Sequence, residues 1–371
     1  MTPPLNEKLK SVKWGKYKLG DIFDILSYKK RFDANKVTIY ETGQYPYIVR
    51  MGTNNGQKGF LNEDIQFIND GNTISFGQDT ATVFYQEKPY FTGDKIKILK
   101  PKYNEFSKKN ALFFVAAMNL SFKSFSWGSS SFNIKILNNV ELTLPLTSDG
   151  QINFSFMESL IAELEAERIA ELSAYLKVSG LDDYQLSKDE EKALAKYKTY
   201  VWGSFNLKAL YGESTRGKRL KSEDRIPGPL PFVTAGEAEE GVSAFIGNKV
   251  DIFEKNTITI DMFGSAKYRH YQYGGDDHVA IVHTEKIPME AALFVTSAIH
   301  KVAHTGKFNY GHNFYAKDAD ALDIMLPIKE GKPDYQTMEL LISAIQKLVL
   351  KDVVQYADIK INSTKQVIAE E

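Results

Sequence analysis

Trp14-Gly15-Lys16-Tyr17-Lys18-Leu19 and Trp202-Gly203-Ser204-Phe205-Asn206-Leu207 open two stretches of one chain that repeat each other in order. Pro46-Tyr47-Ile48-Val49 is answered by Pro231-Phe232-Val233-Thr234, and the run from Gly56 to Phe60 by that from Gly241 to Phe245. Asn72-Thr73-Ile74-Ser75-Phe76 returns as Asn256-Thr257-Ile258-Thr259-Ile260, and Ala111-Leu112-Phe113-Phe114 as Ala292-Leu293-Phe294-Val295. Both copies leave through a Leu-Pro step, at Leu144-Pro145 and Leu326-Pro327, and then reach Met157-Glu158 and Met338-Glu339. The separation drifts only from 188 residues at the tryptophans to 181 at these methionines, a register that chance similarity does not keep. The fold question is therefore about one unit built twice.

Each unit reads as a β-rich module followed by a long helix. Thr73 to Phe76, Thr82 to Tyr85 and Lys95 to Leu99 are short β-branched or aromatic runs separated by Gly, Asn, Asp and Pro, which is strand-and-turn chemistry. Asn110 to Asn119 and Glu290 to His300 lack breakers and carry Ala, Leu, Phe and Met, predicting one packed helix per module. Phe156, Leu160, Ile161, Leu164, Ile169, Leu172 and Leu176 recur at helical spacing, as do Met338, Leu341, Ile342, Ile345, Leu348, Val349, Val353 and Tyr356. Helices of about 20 to 25 residues, roughly 30 to 37 Å long, exceed what one module needs for its own core. The expected class is α+β. Modules at 14–150 and 201–330 carry helices at 151–178 and 334–362, with a solvated linker or exposed short helix at 179–200. The two long helices are expected to pack as an antiparallel coiled coil with pseudo-two-fold symmetry.

The 371 residues hold no cysteine, which removes disulfide frameworks, cysteine nucleophiles and zinc ribbons. The longest apolar run, Ala111 to Met118, is too short to cross a bilayer, and the polar start lacks a secretory signal, so a cytoplasmic protein with no membrane partner is expected. A net charge of −1 means that any contact with nucleic acid must be local. Residues 14–150 hold 17 basic and 13 acidic side chains, net +4, whereas 201–330 hold 15 and 17, net −2.

Local clusters carry more information than these totals. Lys29, Lys30 and Arg31 in the first module, and Arg216, Lys218, Arg219 and Lys221 in the second, sit at the same place in the repeat and suit phosphate contacts. Asn54, Asn55, Gln57 and Lys58 occupy a turn-prone stretch, and these residue types bond adenine or guanine edges. The second copy replaces them with Thr234, Glu237, Glu239 and Glu240, so the frameworks match while the loop tips differ. A third pair of loops holds Trp127 and Ser129 in one copy and Lys307, Tyr310 and His312 in the other. Lys267 and Arg269, among tyrosines, complete the candidate DNA-binding set. For each position alone, solvated charge or a structural role is an equally good reading.

Catalytic and metal motifs fail. Gly212, four residues, then Gly217-Lys218 nearly spells a phosphate-binding loop, but Arg219 stands where a Ser or Thr must hold magnesium. His300 and His304 have the spacing of a helical metal pair, yet Lys301 replaces the glutamate of the zinc-protease signature. There is no nucleophile elbow, dinucleotide loop or base-holding Asn-Pro-Pro-Tyr sequence. The expectation is no catalytic residue, no metal and no cofactor in this chain.

The paired Trp-Gly openings, Asn-Thr-Ile strands, Ala-Leu-Phe helices and Leu-Pro exits make the chain resemble the specificity subunit of a type I, or related BcgI-like, restriction-modification enzyme. The resemblance implies target-recognition domains from Trp14 to about Ser148 and from Trp202 to about Lys329, each followed by a spacer helix. It implies double-stranded DNA and methyltransferase subunits as partners and, in the full nuclease, restriction subunits. S-adenosylmethionine, ATP and Mg would then sit on those partners. Two rival classes stay open: a complete DNA-modifying enzyme, and a duplicated β-rich module binding carbohydrate or protein through aromatic loops.

Overall fold

The computed structural model describes residues 3–123 and 132–370. In chain order, the first part holds α1 (Pro3–Ser11), β1 (Lys13–Lys18), α2 (Leu19–Ile22), β2 (Phe23–Ser27), β3 (Tyr45–Ile48), β4 (Gln57–Leu61), β5 (Thr73–Gly77), β6 (Val83–Gln86), β7 (Phe91–Thr92), β8 (Ile96–Pro101), α3 (Lys108–Phe122), α4 (Ile134–Asn138), β9 (Glu141–Leu146) and α5 (Phe154–Val178). The rest comprises α6 (Lys188–Ala195), β10 (Trp202–Asn206), α7 (Leu207–Tyr211), β11 (Thr215–Arg216), β12 (Pro227–Val233), β13 (Val242–Ile246), β14 (Ile252–Phe253), β15 (Thr257–Asp261), β16 (Ala266–Arg269), β17 (Tyr273–Gly275), β18 (Val279–Val282), α8 (Met289–Ala303), α9 (Ala316–Asp320), β19 (Asp323–Lys329), β20 (Lys332–Pro333) and α10 (Tyr335–Glu370). The chain divides into two compact units, Met1–Leu172 and Ser173–Glu371.

The sheets give the duplication its physical form. In the first unit one sheet has the order β2-β8-β5-β6 and another β4-β3-β7; in the second unit the orders are β11-β18-β15-β16 and β13-β12-β17-β14. The parallel pairing of β3 with β7 is repeated by β12 with β17. Each opening tryptophan strand pairs antiparallel with the Leu-Pro exit strand, Trp14 opposite Pro145 and Trp202 opposite Pro327. That pairing closes each module on itself and explains why the two motifs, far apart in sequence, occur in both copies.

The central strands β5 and β15 are buried along their whole length, so their β-branched and aromatic runs pack on both faces. A helix covers each: Ala111, Phe114, Met118 and Phe122 of α3 join Phe23, Ile74 and Phe76, while Ala291, Val295, Ile299 and Ala303 of α8 join Ile258, Ile260 and Phe314. Both helices are longer than the breaker-free cores of their sequences, and in α3 a capping box of Ser107 with Asn110 sets the early start.

Two readings change. The linker is not all solvated: Ser187 and Glu190 cap α6, and Glu190 and Ala193 are buried. Glu190 accepts from Ser343 Oγ at 2.6 Å and from Lys347 Nζ at 3.2 Å, which pins α6 to α10. The apolar stripe of α10 also divides. Met338, Leu341, Ala344, Val354 and Ala357 are buried, whereas Ile345, Leu348, Val349, Val353 and Tyr356 lie exposed. No described helix is long and apolar enough to cross a membrane.

Candidate nucleic-acid interface

The same left-handed turn stands at the same place in both units. Asn54, Asn55 and Gly56 have φ of 49°, 53° and 72°; Glu239, Glu240 and Gly241 have 47°, 54° and 80°. Non-glycine residues adopt this region at a cost, and Asn bears it better than Glu. One anchor offsets the cost in each copy. Buried Gln86 donates to Asn55 O at 3.2 Å and to Ser75 Oγ at 3.0 Å. Buried Arg269 donates to Glu240 O at 2.8 Å and to Thr259 Oγ1 at 2.9 Å.

Arg269 therefore does not serve as a surface cation. It is 1% exposed, and its third nitrogen, Nη1, donates to Tyr271 OH at 3.1 Å. Burying a guanidinium costs least where protein acceptors take its N–H groups, and here each of the three nitrogens has one. Asn54 and Asn55 are exposed but also partly committed, donating to Gln57 O at 2.8 Å and to Tyr85 O at 3.0 Å. Lys267 is turned inward, 2.9 Å from Ser265 Oγ and 3.3 Å from Glu237. The bond from Ser265 and the nearby Lys267 charge hold the Glu237 carboxyl below the usual carboxylate range.

The basic loops line clefts. In the first unit a cleft of about 410 Å³ gathers Arg31, Asp33, Tyr47, Arg50, Lys58 and Asp94. Arg31 lies 3.7 Å from Asp94, and Lys30 hangs over the rings of Phe32 and Phe67 at 4.9 and 4.5 Å. Lys29 is exposed beside them, its backbone N–H bonded to Asn69 Oδ1. In the second unit a cleft of about 350 Å³ gathers Arg219, Lys221, Arg225, Asp276 and His278. Arg216 and Lys218 flank it, Lys218 at 3.0 Å from Asp251. Gly217 has no room for a side chain, since a Cβ there would stand 1.7 Å from Gly275 O. The near-phosphate motif is thus a loop pressed onto β17, not a helix start.

Asp276, Asp277 and His278 bring their ligand-type atoms within 4.8 Å of one another at the edge of this cleft. Burial and the neighbouring Asp277 push the Asp276 carboxyl up. Lys307, Tyr310 and His312 form an exposed loop around buried Phe308 and Phe314. Trp127 and Ser129 lie outside the described residues. Gln57 is half-buried on β4. His300 and His304 stack on each other, and His300 Nδ1 accepts from Ala266 N–H at 3.2 Å, which gives the pair a packing role.

Arg50 is the cleft residue that motif reading passes over. It follows the matched strand Pro46 to Val49 as a lone arginine, and the only signal for it is that the other copy has Ala235 there.

Fold and loops together define a duplicated α+β recognition scaffold. Residues 11–174 match the family described as the type I restriction modification DNA specificity domain. The chain is 25% identical over 334 residues to the specificity subunit S.BcgI of a type II restriction enzyme from Heyndrickxia coagulans, an alignment covering 88% of this chain and 93% of that one. It is 27% identical over 273 residues to a putative type I specificity subunit of Mycoplasma genitalium, covering 70% and 66% of the two chains. The crystal structure of a type I restriction-modification S subunit from M. genitalium shares the fold, with a TM-score of 0.58 at 16% identity over 96% of this chain and 94% of that one. The resemblance to specificity subunits drawn from the paired tryptophans is borne out.

Proposed function

We propose that the chain is the DNA specificity subunit of a restriction-modification system and reads a bipartite, asymmetric site. The observation that carries this reading is duplication with divergence: two units share strand order, register and turn backbone, and differ in the side chains that their loops expose. Matching frameworks call for equivalent placement on a repeating ligand, and unequal loop tips call for unequal sequences. Base-edge contacts would come from the loop tips, and phosphate contacts from the cations around each cleft.

In this reading 14–150 and 201–330 are the target-recognition domains, and the helices after them set the distance between half-sites by packing antiparallel with pseudo-two-fold symmetry. With 25 residues α5 is about 37 Å long, close to one turn of DNA at about 34 to 36 Å, whereas α10, with 36 residues rather than the expected 20 to 25, runs to about 54 Å. The exposed apolar stripe of α10, from Ile345 to Tyr356, offers a face to methyltransferase subunits, with restriction subunits joining through them. S-adenosylmethionine, ATP and Mg belong to those partners, and the complex works in the cytoplasm.

The test is duplex binding by the full chain with its methyltransferase, titrated with salt. The expected result is a bipartite preferred sequence and an affinity that falls steeply as salt rises. Equal binding of all duplexes, or methyl transfer by this chain alone, contradicts the proposal.

A further inference from the structure

The two units keep one framework and change its chemistry at one spot. In the first, the turn between β5 and β6 carries Asp79, which accepts from Lys95 Nζ at 2.9 Å and pairs with Arg50. The hydrogen bond from Lys95 holds the Asp79 carboxyl below its usual range.

Register fixes the equivalents of Arg50 and Lys95 in the second unit, and counting on from β5 and β15 gives that of Asp79 in a turn that is one residue shorter. Gly77 opposite Ile96 corresponds to Asp261 opposite Val279, and Val49 N–H to Gly56 O corresponds to Thr234 N–H to Gly241 O. Arg50, Asp79 and Lys95 are thereby replaced by Ala235, Phe263 and His278. The carboxylate of this turn is now Asp261, which accepts from the Gly236, Phe263 and Ser265 N–H groups, and an aromatic side chain takes the place of Asp79 in the sequence of the turn. Phe263 meets Tyr310 edge to face, ring centroids 5.2 Å apart and planes at 84°.

Tyr310 sits on a hydrogen-bonded hairpin and yet stands in water. Asn309 and His312 close its hairpin with backbone bonds of 3.0 and 2.9 Å, and Asn309 Oδ1 accepts from Gly311 N–H at 2.9 Å. The ring nevertheless remains 84% exposed. A large ring on an ordered hairpin loses only its own rotamer freedom on binding and gains by covering its apolar surface. On a duplex, the apolar group on the major-groove edge is the C5-methyl of thymine.

We propose that this spot is where the two units differ in the base they select, with Arg50 addressing a guanine edge in the first half-site and Tyr310 a thymine methyl in the second. The inference rests on the DNA-reading function above. Arg50 is held from one side by Asp79 and retains donors for the paired acceptors O6 and N7 of guanine. Tyr310 has no charge to offer, and its hold on Phe263 aims the ring.

The full chain with its methyltransferase is tested on the duplex recovered by selection. Each thymine of the second half-site is replaced in turn by deoxyuridine, and each guanine of the first by 7-deazaguanine. One deoxyuridine should weaken the wild type about fourfold, the value of one methyl group taken from water. That ratio should fall to about one in Tyr310→Ala and persist in Tyr310→Phe. One 7-deazaguanine should weaken the wild type about tenfold, and Arg50→Ala should erase that effect alone. Wild-type ratios retained in both variants overturn the proposal whatever happens to overall affinity, because a phosphate or packing role moves affinity without moving the ratio. A wild type insensitive to every replacement also overturns it, and a ratio lost in one variant only confines the claim to that unit and refutes it for the other. A wild type that binds all duplexes alike refutes the DNA-reading function itself.

Discussion

Thr73 Oγ1 lies 3.1 Å from Tyr90 OH in the buried centre of the first unit, and Thr257 Oγ1 lies 3.0 Å from Tyr273 OH in the second. Burial pushes both phenols well above the usual tyrosine range, so both stay neutral and both hydroxyls need partners. A hydrogen bond preserved through duplication at unequal surroundings marks the shared frame. Tyr90→Phe and Tyr273→Phe should each cost about 1 kcal/mol, measured by denaturant unfolding, and the two costs should agree.

Arg269 gives a sharper contrast. Its guanidinium bonds Thr259, Tyr271 and the Glu240 carbonyl, so Arg269→Ala should destabilise by about 3 kcal/mol. Arg269→Gln should lose much less, because Gln86 does the same work in the first unit. Thermal unfolding of both variants checks this. A Gln variant of full stability that cannot bind DNA would make Arg269 a contact residue instead.

The loop before β12 depends on Gly217. Gly217→Ala has to push the loop off Gly275, where Lys218 N–H now bonds Gly275 O at 3.0 Å. Duplex binding should weaken several-fold with net charge unchanged. Lys218→Ala should instead weaken all duplexes alike and flatten the salt dependence by about one unit of slope.

Glu190 links the tie between α6 and α10 to pH. Burial opposes its ionisation, but the bonds from Ser343, Ser187 N–H and Lys347 outweigh this and hold its carboxyl below the usual glutamate range. A depressed folded value means that the contribution is complete above the unfolded pKa and is lost as pH falls through the folded one. Amide exchange across residues 188–195 should therefore accelerate on acidification below the glutamate range. In Glu190→Gln it should already be faster at neutral pH.

The duplication, strand composition and closing helices were legible in the sequence because they depend on local period and on short motifs. Trp14 and Trp202 illustrate this: each stacks on the Phe of the matched helix, Phe113 at 6.3 Å and Phe294 at 6.2 Å. What escaped depends on partners distant in the chain. Arg269 sits among Lys267 and His270 and reads as part of an exposed basic stretch until the Glu240 carbonyl is placed against it. The acidic run containing Glu190 reads as solvated because Lys347 lies 157 residues away. Arg50 carried no motif, only a mismatch between copies.

The most direct measurement replaces residues 201–330 by a second copy of 14–150 and determines the duplex selected by the full chain with its methyltransferase. The proposed antiparallel arrangement predicts that the asymmetric site becomes an inverted repeat of its first half at nearly the same spacing. Recovery of the original asymmetric sequence, or of a single undivided one, would contradict the account.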